Sequence, residues 1–219
     1  MEITLAAIRA LPAEVTKQKA LSLLTKAIRR ETPERAIAEA EYRLTCSAVI
    51  YSRTRREVWL IGDCQCRFGG RTYTHPKPVD TILTQIRCDV VRYFLDHGRT
   101  VDDIRHNDPG RAYILSTLRE QCNFQNDTNP YNPYSYPVLD GMPIDPQRVP
   151  TLAVADSKEL ILASDGYPVL FDTLAETETH LHTLLQRDPL CIRENPTTKC
   201  LVAGNCSFDD RTYLRLMLD

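Results

Sequence analysis

Short runs of β-branched and aromatic residues, joined by polar turns, constrain the fold of this chain more than any other feature. Leu44–Tyr51 and Glu57–Ile61 form a first pair of such runs, joined by the polar connection Ser52–Arg56. Thr151–Ala155 and Glu159–Ala163 form a second pair. Runs of this kind bounded by turn residues are typical of strands in antiparallel hairpins. The pattern therefore predicts β-sheets that contain both pairs.

Helical periodicity and capping residues separate these strands. A further strand is predicted at Arg71–Thr74, after the Gly69-Gly70 turn, and a last one at Arg211–Leu218. Apolar residues at helical spacing, with Pro, Gly and capping side chains at the ends, predict the helices. The predicted helices are about Pro12 to Arg30, a shorter stretch at Glu34–Glu41, Pro78 to Gly98, one that starts at Asp108-Pro109, and one that starts at Thr173 and stops at Pro189.

Charge and motif content exclude several classes of function. The formal net charge is -2, from 27 basic and 29 acidic residues, so no overall field favours nucleic acid or an anionic membrane. No apolar run approaches the roughly 18 residues that a membrane span needs, and the first residues do not resemble a signal peptide. We therefore expect a cytoplasmic protein with neither nucleic acid nor membrane as a partner. The glycines build no dinucleotide fingerprint or P-loop, and HExxH and GxSxG are absent.

The eight cysteines are too widely spread for a disulfide scaffold. Cys64 and Cys66 lack the CxxC spacing of a zinc knuckle. We expect buried, inert thiols, with metal or redox use as the alternative. His180 and His182 point about 200° apart on a predicted helix and cannot bind one ion together.

No internal repeat or clear linker divides the chain. We therefore expect a single domain over residues 1–219, with a helical insertion at about 78–125. Residues from about 125 to 150 are rich in Pro, Tyr and Asn and predict a long surface loop. Loops of this length are often functional, although an ordered connector packed by its tyrosines is the simpler interpretation.

Aspartates stand where three of the predicted strands meet loops. Asp63 follows EVWLIG, Asp165 follows LILAS, and Asp209-Asp210 stands before RTYLRLML. Ends of neighbouring strands can bring such carboxylates to one rim, where oxygen ligands suit hard cations such as Mg²⁺ or Mn²⁺. Ordinary turn chemistry is the simpler explanation for any single one of these sites, although three of them in strand context weaken it. The spacing alone therefore indicates an acidic cluster and no more.

The order of these motifs resembles the metal-dependent protein phosphatases, the type 2C serine/threonine class. The matching segments are Gly62-Asp63, Ser164-Asp165-Gly166 and Asp209-Asp210-Arg211-Thr212, and the resemblance spans about residues 42 to 218. The most specific pieces are VWLIGDCQ and LILASDGYP. The family has Asn where this chain has Asp210.

The resemblance implies an α+β fold, a four-layer α-β-β-α sandwich of antiparallel sheets flanked by helices. It implies two divalent cations, Mg²⁺ or Mn²⁺, between the sheets, and a bridging water that attacks phosphorus. Asp165 and Asp209 would bind metal directly, and Asp63 would be a structural or outer contact. Asp210 and Gly166 are additional candidates, and the catalytic residue is unknown.

The chain departs from the family at its start, where the fold is expected to be N-terminally shortened. The family carries a phosphate-binding arginine, a Glu-Asp pair and an Asp-Gly motif on strands before its first long helix, and this chain begins with the helices. We therefore expect an impaired metal site, unless another subunit or an upstream segment completes it. Uncovered sheet edges also predict a homodimer.

Three functions follow as expectations. The first is metal-dependent hydrolysis of a phosphoserine or phosphothreonine protein, or of a small phosphate ester, by a phosphatase of bacterial type. The second is a catalytically inactive binding or regulatory module on the same fold. The third, an N-terminal-nucleophile hydrolase, ranks last because Met1-Glu2 offers no nucleophile.

Overall fold

A computed structural model describes residues 2–219 and divides the chain into two compact units. The first unit comprises the chain up to Lys77 together with Gln121–Leu162 and Leu214–Asp219. The second comprises Pro78–Glu120 and Ala163–Tyr213. None of the helices of residues 2–219 combines the length and the apolar character that crossing a membrane requires.

The first unit contains three helices and the seven strands, except that one end residue of β6 and one of β7 belong to the second unit. The helices are α1 (Glu2–Arg9), α2 (Lys17–Glu31) and α3 (Glu34–Ala38). The strands are β1 (Ala48–Ser52), β2 (Glu57–Ile61), β3 (Gln65–Phe68), β4 (Arg71–Thr74), β5 (Thr151–Ala153), β6 (Glu159–Ala163) and β7 (Tyr213–Met217). Short 3₁₀ turns follow at Ala40–Tyr42, Gln121–Phe124 and Pro146–Arg148.

The strands form two sheets. A three-stranded sheet has the order β1-β2-β5, and a four-stranded sheet has the order β4-β3-β6-β7. The β1–β2 hairpin is antiparallel with Ile50 opposite Trp59, and β5 pairs antiparallel to β2 with Leu152 opposite Val58. The β3–β4 hairpin is antiparallel as well, with Phe68 opposite Arg71.

The strand β2 is buried on both of its faces. Val58 and Leu60 pack between the two sheets, in a core that includes residues of β3 and β6. Trp59 and Ile61 point the other way and pack against α2. Because successive side chains of a strand alternate between faces, one strand serves both cores. The structure thus confirms the α+β class, with two antiparallel sheets and a helix layer against one of them.

The second unit is built on four helices, α4 (Pro78–Asp96), α5 (Val101–His106), α6 (Pro109–Glu120) and α7 (Leu174–Arg187). As predicted, α4 packs against α6 and Asp108 caps α6, accepting from the Arg111 N–H at 2.9 Å. A Cβ on Gly110 would lie 2.6 Å from the Arg87 carbonyl oxygen, so glycine permits this close approach. Thr173 caps α7 as predicted, accepting from the Glu176 N–H.

Two buried charged side chains order the irregular segment 188–200. Arg87 is fully buried, binds the Asp108 carboxylate at 2.8 Å, and donates to the carbonyls of Leu190 and Thr197, each at 2.9 Å. Asp188 accepts from successive backbone N–H groups at 2.8 to 3.4 Å. Burial opposes ionisation of Asp188, but these N–H donors hold its pKa below the ordinary value.

Several predicted boundaries are wrong, for local reasons. The helix expected from Pro12 begins at Lys17, because Thr16 caps it. The strand expected at Leu44–Tyr51 begins only at Ala48 and ends at Ser52, because Cys46 pairs with Leu139 in an isolated bridge instead of with β2. The strand expected at Thr151–Ala155 ends at Ala153, because Ala155 has φ 42°.

Further differences concern the short elements. The helix expected at Glu34–Glu41 is α3 followed by a 3₁₀ turn. The last strand is β7 rather than Arg211–Leu218, since the Thr212 N–H bonds the Ser164 side chain. Sequence analysis missed α1, β3 and α5 altogether.

The segment from about 125 to 150 contains no helix or strand apart from the 3₁₀ turn at Pro146–Arg148, but it is not at the surface throughout, because residues 136–141 are buried. Its turns are held by asparagine side chains, which accept from the N–H groups of Tyr131 and Tyr134 at 3.0 Å each. Tyr131 is 90% exposed at the surface of the loop, whereas Tyr136 is buried.

We expect Asp188→Asn to destabilise the protein by about 1–3 kcal/mol at pH 7, because an amide cannot accept from all of the N–H groups. The folded-state pKa of Asp188 is lowered. Its contribution is therefore present above the unfolded pKa of about 3.9 and lost as the pH falls through the folded value. Urea unfolding from pH 7 to pH 2 measures this, with the exposed Asp156→Asn as control. Equal acid sensitivity in the wild type and Asp188→Asn would contradict the assignment.

Candidate functional site

Asp63 lies at the end of β2, where Gly62 turns the chain with φ +77°. A Cβ on Gly62 would lie 2.2 Å from the Ser47 Oγ, so glycine lets Ser47 approach. The Ser47 hydroxyl donates to Asp63 Oδ1 at 2.6 Å, and Lys77 Nζ lies 2.5 Å from Asp63 Oδ2. Both carboxylate oxygens of Asp63 are therefore bound by side chains of the first unit.

The electrostatics of Asp63 are those of a half-buried ion pair. Burial alone would raise the pKa of this carboxyl group, but the Lys77 ammonium and the Ser47 hydroxyl lower it below the ordinary value. Asp63 is consequently ionised at neutral pH and neutralised by Lys77.

The Ser164-Asp165-Gly166 segment lies directly against the segment that begins at Asp209, within the second unit. The Ser164 N–H donates to the Thr212 carbonyl at 3.1 Å, and the Thr212 N–H donates to Ser164 Oγ at 3.0 Å. A Cβ on Gly166 would lie 2.2 Å from the Asp210 carbonyl oxygen. Two motifs more than forty residues apart in sequence are thus joined through their backbones.

An open cavity of about 770 Å³ lies beside this junction, in the second unit. Its lining includes Tyr167, Glu178 and the residues from Gly204 to Arg211. Arg211 and Glu178 form a bidentate ion pair on its wall, with Nε–Oε1 at 2.8 Å and a second N–O contact at 2.9 Å. The Tyr167 hydroxyl donates to Glu178 Oε1 at 2.5 Å.

This wall fixes three protonation states. The hydrogen bond from Arg211 is the largest cause that lowers the pKa of Glu178. Burial and the neighbouring Glu178 raise the pKa of Tyr167 to about 12, and the ion pair raises that of Arg211. Tyr167 is therefore a hydrogen-bond donor at neutral pH and not a base.

Asp209, Asp210 and Asp165 have different surroundings. Asp209 is half-buried, with Lys199 Nζ 2.5 Å from its Oδ1, and it also accepts from the Asp210 N–H at 2.9 Å. Asp165 and Asp210 are exposed. Gly166 is buried against the Asp210 backbone.

These residues do not fit Mg²⁺ or Mn²⁺ in the arrangement observed. Across residues 2–219, no three His, Cys, Asp or Glu side chains are grouped so that they could hold a metal ion. Asp63 and Asp209 are each paired with a lysine ammonium. The cations Lys77 and Lys199, and the Tyr167–Glu178–Arg211 group, were not singled out by sequence analysis.

Comparisons with known proteins give little further information. No protein-family model and no curated protein matches the chain. Among solved structures, the chain is similar to the catalytic domain of the serine/threonine protein phosphatase PstP, determined with two manganese ions. The identity is 15%, the match covers 100% of this chain and 80% of that one, and the TM-score is 0.39. A score this low does not establish a common fold.

We expect Gly166→Ala to destabilise the protein by about 1–3 kcal/mol, because its methyl group would overlap the Asp210 carbonyl. Urea unfolding gives the stability, and amide chemical shifts of Asp210 and Arg211 report the displacement. Gly204→Ala is the control, since its Cβ meets nothing within 4 Å and adds only the cost of φ +88°, about 1 kcal/mol. Unchanged shifts at Asp210 in Gly166→Ala would contradict the junction.

Proposed function

We propose that this chain is a phosphatase-like protein that acts as a binding or regulatory module, with metal-dependent hydrolysis impaired. The observation that supports this is the pairing of Asp63 with Lys77 and of Asp209 with Lys199, each with an N–O distance of 2.5 Å. A divalent cation that binds either carboxylate would lie beside a lysine ammonium, which repels it. Two unit positive charges 4 Å apart near a protein surface repel by about 4 kcal/mol, and a divalent ion doubles this.

The charge of the cavity in the second unit favours a ligand with a positive group. Glu178, Asp209 and Asp210 line it, and Arg211 is the cation among its lining residues. Arg211 is engaged with Glu178, and the neighbouring Lys199 is engaged with Asp209. Carboxylates thus outnumber cations even when Lys199 is counted. A phosphate dianion would be repelled, whereas a lysine or arginine side chain of a partner would be attracted.

The second candidate is a weak metal-dependent phosphatase that acts on a phosphoprotein or a small phosphate ester. It is favoured by the backbone junction of Ser164–Gly166 with Asp210 and Thr212, which matches the motif order of the type 2C family. In this scheme Asp165 and Asp209 would hold Mg²⁺ or Mn²⁺, which would supply charge stabilisation at phosphorus. The ligand role of Asp63 belongs to the same scheme and stays a prediction.

We expect no Mn²⁺-dependent release of phosphate from p-nitrophenyl phosphate above a protein-free control. The physical reason is that Lys199 and Lys77 neutralise the carboxylates that the cation needs. Turnover that depends on Mn²⁺ and disappears in Asp165→Asn, but not in the exposed Asp156→Asn, would establish the second candidate and refute the first.

We expect a short lysine-rich peptide to bind the second unit, and its phosphoserine-containing counterpart to bind more weakly. Binding should weaken as salt rises from about 50 to 500 mM, because exposed charges are screened. Amide chemical-shift changes at Asn205–Arg211 locate the site, and Asp210→Asn should reduce the affinity whereas Asp156→Asn should not. Equal binding of both peptides, or shifts confined to other residues, would contradict the assigned cavity.

A further inference from the structure

The strand β1 presents an open hydrogen-bonding edge. It lies at the end of its sheet, with β2 on one side. The Leu60 N–H donates to the Pro150 carbonyl, so the backbone groups of Leu60 point toward β5. Because these directions alternate along a strand, the backbone groups of Glu57, Trp59 and Ile61 point toward β1. Their partners on β1 are Ser52, Ile50 and Ala48. The backbone N–H and C=O groups of Val49 and Tyr51 therefore point away from β2.

Both faces of this edge strand are apolar and only half-covered. Val49 and Tyr51 lie on the core between the sheets, and both are partly buried. Ala48 lies on the core against α2 and is also partly buried, next to the buried Ile50. An additional strand along β1 would cover apolar surface on both faces and satisfy the outward backbone groups.

The other three sheet edges carry features that oppose pairing. The strand β5 has only three residues, between Pro150 and the left-handed Ala155. Arg71 lies on β4 and Arg215 on β7, where Arg215 is paired with Glu159 at 2.7 Å. Charges, prolines and short length are the usual protections of exposed edges. The sequence AVIYS of β1 has none of them.

We propose that β1 pairs with β1 of a second copy of this chain, antiparallel about a two-fold axis at Ile50. In this register Val49 faces Tyr51 of the second copy, and these outward residues exchange about four backbone hydrogen bonds. The two isoleucines at position 50 meet at the centre, on the face that packs on α2. The strand is self-complementary, as a two-fold interface requires, and the two three-stranded sheets become continuous.

The interface differs from the cavity of the second unit and does not depend on the proposed function. The strand pair alone buries less surface than a standard interface, so the dimer should dissociate on dilution. Sedimentation velocity should show a mass near 25.0 kDa at low concentration and about twice that at high concentration.

The substitution Tyr51→Pro tests the register, since it removes an outward N–H while the bonds between β1 and β2 are kept. We expect this variant to be monomeric at all concentrations, with unchanged far-UV circular dichroism. Tyr51→Phe keeps the N–H and the ring, and should dimerise like the wild type. A dimer that survives Tyr51→Pro overturns the proposal.

Hydrogen exchange on the wild type provides a test that needs no variant. The Val49 and Tyr51 amides should become at least tenfold better protected as the concentration rises through the dimer range. A chain that stays monomeric overturns the proposal, even if a strand from another protein protects these amides. A dimer in which both amides exchange freely overturns it as well.

Discussion

The burial of β2 on both faces is the constraint on which the rest of the first unit depends. Val58 and Leu60 bind the two sheets together, and Trp59 and Ile61 hold α2 against the outer face. Each fully buried side chain of this size contributes about 1.5–3 kcal/mol. The strand ends at Ile61, and the turn that follows needs glycine at position 62 because any Cβ there would overlap Ser47. The position of Asp63, and its bond to Ser47, follow from this packing.

The elements that could be predicted from the sequence are those whose own residues show a clear apolar pattern. Glu57–Ile61 and Glu159–Ala163 each consist of one glutamate followed by four apolar residues, and both strands occupy the predicted residues. The strand β3 was missed because its sequence QCRF mixes polar and apolar residues, and its burial comes from β4 and β6 on either side. The helix α5 was missed because six residues are too few to show a helical period.

The candidate site was predicted in part. Sequence analysis singled out Ser164–Gly166 and Asp209–Thr212, and the structure joins these two segments, whereas the metal-ligand roles of their aspartates stay predictions. The lysines that pair with the aspartates were not predicted, because Lys77 follows β4 and Lys199 lies in an irregular segment, so neither ion pair has the spacing of a helix or a strand. Contacts of this kind are set by tertiary packing and leave no local pattern in the sequence.

The ion pairs separate two interpretations of the same acidic residues. A metal site gathers carboxylates around one cation, and their mutual repulsion is offset by the ion. Here Asp63 and Asp209 are each offset by a lysine of the chain, and Glu178 by Arg211. Carboxylates compensated in this way are stable without metal, which is the physical basis for proposing a binding module on a phosphatase-like scaffold.

The most direct test of this account is anomalous diffraction at the manganese edge from crystals grown with Mn²⁺. The account predicts that Lys77–Asp63 and Lys199–Asp209 stay paired, with no manganese peak at either carboxylate. A manganese ion bound by Asp165 and Asp209, with Lys199 moved away, would contradict it.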